Sequence, residues 1–218
     1  MKYGNGVGEA RPCHAGSREI TLRPVQSVIF YDFTSAESFA VHEIAREVAR
    51  ADEIAWRGVQ VDETLPVPMT ILDRRARSRI EMDISDARKA WPAGRLELPK
   101  GLPNTKFALQ AVASVERMHR TRADDFRAHL FRAYWWLGED ISDRTVVRRI
   151  ADEAGVPPWA ELEHQGAQAA QVSWELEWKA ERLGGVPRVI RSDGQILWTM
   201  KSEAEAREFL APDQAPRR

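Results

Sequence analysis

The sequence predicts an α/β fold in which a long helical block interrupts a small sheet. Residues 25–61 read as strand, helix, strand; 70–182 carry helical periodicity; 186–199 hold two short apolar runs around Ser192-Asp193-Gly194-Gln195. A strand–helix–strand unit of this length implies a parallel strand pair with a right-handed crossover. Asp-Gly between apolar runs is a hairpin signal. The expected organisation is a leader over 1–18, a discontinuous sheet domain over 19–66 and 184–212, and a helical insertion over 67–183.

Each element has a local reason. Residues 20–22 are expected to form a short strand. Residues 25–33 are apolar and β-branched between Pro24 and Thr34, the signature of a buried strand. Phe39, Ile44 and Val48 recur at helical spacing, predicting a helix over 36–50. Residues 54–61 alternate as a second strand. Residues 70–90 are charged and helical in pattern. Asn104 is the expected N-cap of a helix that buries Phe107, Ala108, Ala111, Val112 and Val115. A further helix covers the aromatic-rich 126–136. Ser142 is expected to cap a helix over 143–154, closed by Gly155 with Pro157 beyond. Residues 172–182 form another helix. Ser202-Glu203-Ala204-Glu205 has the form of a capping box and opens a last helix to Leu210.

At 218 residues the chain can bury a sizeable core. The apolar fraction of 43% and charged fraction of 30% are those of an ordinary globular protein, and a net charge of −1 supplies no field toward nucleic acid or membrane. No apolar run approaches a membrane span of ~20 residues. The first residues lack the apolar core of a secretory signal, so the expected location is cytoplasmic. The single cysteine, Cys13, cannot form an intramolecular disulfide, a dithiol couple or a cysteine-rich zinc site, and no histidine pair has metal-ligand spacing. No metal is expected.

Thr34-Ser35-Ala36-Glu37-Ser38 has the composition of a helix start: Thr34 with Glu37 fits a capping box, and Ser35 fits an N-cap. Eight tryptophans invite a ligand role. Trp174 and Trp178, four apart, share one helix face. Trp135 and Trp136 are adjacent and cannot both point inward, so one is expected to line a cleft between the two parts of the molecule. Arg74-Arg75-Ala76-Arg77-Ser78-Arg79 reads as a solvated helix face. His42 lies two turns beyond Ser35, too far to act as its base.

The order Phe30-Tyr31-Asp32-Phe33-Thr34-Ser35-Ala36-Glu37-Ser38, Trp56-Arg57-Gly58-Val59-Gln60-Val61-Asp62, Pro103-Asn104-Thr105, Leu130-Phe131-Arg132-Ala133-Tyr134 with Asp140-Ile141-Ser142-Asp143, and Gly185-Val186-Pro187 resembles the DsbA-like family over 27–211. The likeness is to its FrnE-like branch, 2-hydroxychromene-2-carboxylate isomerases and kappa-class glutathione transferases. It implies a thioredoxin-like fold with a DsbA-type all-helical insertion. Redox members carry Cys-x-x-Cys where this chain has Ser35 and Ser38. Isomerase and transferase members carry a serine whose hydroxyl donates to the thiolate of bound glutathione. A helix N-terminus favours such an anion, and the thiolate is the reactive form.

The resemblance therefore implies Ser35 as the catalytic residue, Ser38, Val186, Pro187 and Lys201 as ligand-binding residues, and a cis peptide before Pro187. The Val186 amide and carbonyl would pair with an extended thiol ligand. The expected function is glutathione-dependent transfer or isomerisation on an apolar substrate, without dithiol exchange, in a protein whose relatives are often homodimers. Ala36 and Glu37 stand where those branches carry proline and an aromatic, and the acidic partner of Lys201 for a γ-glutamyl group is missing. The alternative expectation is a non-catalytic relative that binds a peptide or protein.

Overall fold

The first strand, β1 (Ser27–Tyr31), gives its alternate side chains to two different cores. Ile29 and Tyr31 face the main core, while Val28 and Phe30 pack on the opposite side with Val59, Leu183, Trp174 and Trp178. This is the period-2 geometry of a strand buried on both faces. The structure is a computed structural model and describes residues 26–49, 53–158 and 161–211. The expected leader, the strand at 20–22 and Cys13 lie outside the described residues.

After β1 come α1 (Ala36–Val48) and β2 (Ile54–Gly58), and β2 pairs parallel to β1 from Ser27↔Ile54 to Tyr31↔Gly58. A two-stranded antiparallel pair follows, β3 (Thr70–Ile71) with β4 (Gly101–Leu102), flanking α2 (Arg74–Ala90). Four more helices are α3 (Lys106–Met118), α4 (Arg120–Leu137), α5 (Arg144–Glu153) and α6 (Gln165–Ala180). The chain closes with β5 (Arg188–Ile190), β6 (Ile196–Leu197) and α7 (Glu203–Leu210). Strands β5 and β6 add antiparallel to give the order β2-β1-β5-β6. Mixed sheet and helical block together make the expected α/β fold.

Helix α1 and the helical block share one aromatic core. Phe131 of α4 stacks on Phe39 of α1 at a centroid distance of 5.3 Å and meets Phe33 at 4.8 Å. Trp135 is buried, and its indole N–H donates to Phe33 O at 2.9 Å. Such ring pairs contribute ~0.5–1.5 kcal/mol each beyond area burial. Trp136 is half-buried, and its N–H goes to Arg95 O at 2.7 Å.

Several boundaries differ from expectation for identifiable reasons. The helix expected from Asn104 begins at Lys106 with Thr105 in the cap position, and the Thr105 hydroxyl is turned away to Asp32. Asn104 Oδ1 accepts from Lys106 N and Gln60 Nε2 instead. Asp143, not Ser142, caps α5; Ser142 Oγ donates to Asp140. Helix α4 extends well before Phe126, because its polar first turns hid it from a hydrophobic-period reading. Residues 70–71 are strand, and α2 starts only after the Asp73 cap.

Candidate functional site

The site is built where β1 hands over to α1. Ser35 is the N-cap, in extended conformation (φ −91°, ψ 118°), and its Oγ accepts from Ser38 N at 3.1 Å. Because an N-cap hydroxyl accepts, its own proton is left to donate. That proton goes to Val186 O at 3.0 Å, joining segments 151 residues apart in the chain. The Val186–Pro187 peptide is cis, and Pro187 is buried. The Val186 amide finds no hydrogen-bond partner among the described residues.

Beneath this junction lies Asp32, buried and bonded to three chain segments at once. It accepts from Thr34 N and Thr34 Oγ1, from Val61 N at 2.8 Å, and from Thr105 Oγ1 at 3.1 Å. Burial pushes its carboxyl above the usual range, against the downward pull of these hydrogen bonds. Asp32 thus sets the spacing between the start of α1, the loop after β2 and the start of α3. Sequence reading assigned it no role, since its donors come from three distant places.

Ser35 and Val186 line a cleft of about 550 Å3 together with Thr34, Ala36, Glu37, Gly185, the loop residues Val61, Asp62 and Leu65, and Leu102 of β4. Its remaining wall is one face of α2: Arg79, Ile80, Asp83 and Asp86. Their spacing returns to the same side every turn. The run ending at Arg79, expected to be merely solvated, therefore contributes that arginine to the cleft. Burial pushes the Glu37 carboxyl up, and the charges of Asp86 and Asp83 raise it further against the pull of Arg188. Asp83 is also raised, by burial and then by Asp86, against Arg79.

The other predicted site residues stand apart. Ser38 is buried, and its Oγ has no hydrogen-bond partner among the described residues. Lys201 is exposed just before α7, with its amide on Glu205 Oε2, and is not among the residues lining the cleft. Neither Trp135 nor Trp136 lines it, contrary to expectation, because both indoles are spent on backbone carbonyls. His42 is buried in α1 between Glu43 and Asp124, away from Ser35. Among the described residues no cluster has the makings of a metal site. No helix there is long and apolar enough to cross a membrane.

A thioredoxin-like sheet interrupted by a helical insertion defines the class: the chain has the fold of DsbA-like proteins. It is similar to the cytosolic disulfide reductase DsbM from Pseudomonas aeruginosa, in a structure with GSH, at 14% identity and a TM-score of 0.67, covering 85% of this chain and 96% of that one. It is also similar to a 2-hydroxychromene-2-carboxylate isomerase at 14% identity and a TM-score of 0.57, covering 79% and 88%. No protein-family model and no curated protein matches the chain.

Proposed function

We propose that this is a cytoplasmic, DsbA-like protein that performs no dithiol exchange and binds an extended, peptide-like ligand along the Val186–Pro187 edge of the cleft. The hydrogen bonding of Ser35 carries this reading. Its proton is given to Val186 O and its lone pair receives Ser38 N, so the hydroxyl ties the cleft and caps α1. No carboxylate or imidazole contacts it among the described residues, so nothing there activates it as a nucleophile. Val186 lines the cleft and its amide has no partner among the described residues, which leaves the donor an extended backbone needs. The test is an amide-resolved NMR titration of the full chain with a mixed heptapeptide pool. Shifts are expected at Gly185, Val186 and residues 34–37; their absence at saturating peptide sinks the reading.

A second reading, glutathione bound with its thiolate at the α1 N-terminus, draws on the fold shared with DsbM and on the helix dipole. It requires the Ser35 proton to leave Val186 O, and it sets an anion beside Glu37. Calorimetric titration with glutathione discriminates. No saturable binding at millimolar concentrations is expected. Binding that disappears in Ser35→Ala would instead support transferase or isomerase chemistry.

A further inference from the structure

The α2 wall of the cleft does not suit a thiolate. Four acidic residues, Glu37, Asp62, Asp83 and Asp86, line the cavity against one guanidinium, Arg79, and Asp62 Oδ1 is taken up by Thr64. Glu37 is half-buried and makes no ion pair among the described residues; Asp83 likewise has none, while Asp86 holds Lys89 outside the cleft. The same cleft is also lined by the apolar Ile80 and Leu65. Such a surface fits the methylene stem of a long cationic side chain whose head reaches the acids.

Resting on the peptide-binding reading above, we infer that the cleft selects an extended peptide segment bearing a lysine or arginine. The backbone lies against Val186, and the cationic head sits between Glu37 and Asp83. Charge complementarity inside a defined cavity favours this occupant. The cluster is only partly compensated: partial burial and then the like charges of Asp86 and Asp83 raise the Glu37 carboxyl against the pull of Arg188, and a bound cation would relieve that cost. An anion entering the same space meets the same carboxylates, against the attraction of Arg79 and of the α1 N-terminus.

The test uses three fluorescent heptapeptide pools, degenerate except for a central Lys, Gln or Glu, titrated into the full chain by anisotropy. The Lys pool is expected to bind about fivefold tighter than the Gln pool, the scale of a partly exposed ion pair. The Glu pool should bind weaker than either. The Lys advantage should shrink at high salt and vanish in Glu37→Gln, with Asp83→Asn/Asp86→Asn as a second variant on an exposed helix face. Equal binding of Lys and Gln pools, or a Lys advantage that survives both variants and high salt, overturns the cationic specificity and leaves the peptide-binding reading standing. Failure of all three pools to bind overturns both.

Discussion

Ser35, where chemistry is expected from the sequence, and Asp32, where none is, each tie together segments distant in the chain. In Ser35→Ala, Ser38 N loses its cap and Val186 O loses its donor. The expected cost is about 1–2 kcal/mol, read as a lowered midpoint in urea melts, with the peptide-dependent NMR shifts retained. A loss of ligand binding with unchanged stability would reverse the assignment. Asp32→Ala is harsher. It strands the part-buried amides of Thr34 and Val61 and the buried Thr105 hydroxyl, and should cost about 3 kcal/mol. Denaturant midpoints check this; a loss near zero would show that the three segments hold their spacing without it.

At the scale of elements, the contact of α1 with α4 is ionic at its outer end and aromatic at its centre. Arg127, nearly fully buried, reaches Glu116 at 3.3 Å and Asp124 at 3.2 Å, and lies over the Trp56 ring at 4.7 Å. Asp124 also meets His42 at 3.3 Å and Arg46 at 3.0 Å. Burial alone would raise the Asp124 carboxyl, but the pull of His42, Arg127 and Arg46 holds it down at about 2. A carboxylate whose folded pKa lies below its unfolded value of 3.8 contributes stability that is full above that value. That stability is lost as pH falls toward 2. Unfolding free energy should therefore drop between pH 4 and 2 by about 2 kcal/mol through this group. In Asp124→Asn the drop should be smaller, and parallel pH profiles for the two proteins would remove the attribution.

For the whole molecule, the sheet and helical block share one core, in which Phe131 meets each of Tyr31, Phe33 and Phe39. Phe131→Ala should cost about 3–5 kcal/mol. Because both parts lose the same contact, unfolding should remain one transition, with tryptophan fluorescence and far-ultraviolet dichroism coinciding. Two separated transitions would mean that the insertion folds independently.

What the sequence determined by itself is whatever repeats locally. Apolar periodicity, cap residues and the Asp193-Gly194 turn were enough for the strand–helix–strand start, the helical block and the closing hairpin, because neighbouring residues carry those signals. Ser35 as a cap was also legible for that reason. Helix α4 was cut short where its first turns are polar, and Thr105 left its helix uncapped because a carboxylate 73 residues away claimed its hydroxyl. The tertiary structure alone decided that Ser35 spends its proton on Val186, that Asp32 joins three segments, and that one face of α2 makes the cleft acidic. Those facts depend on which distant residues meet. Long-range juxtaposition leaves no periodic trace in the chain, because burial and charge pairing are properties of the packed molecule.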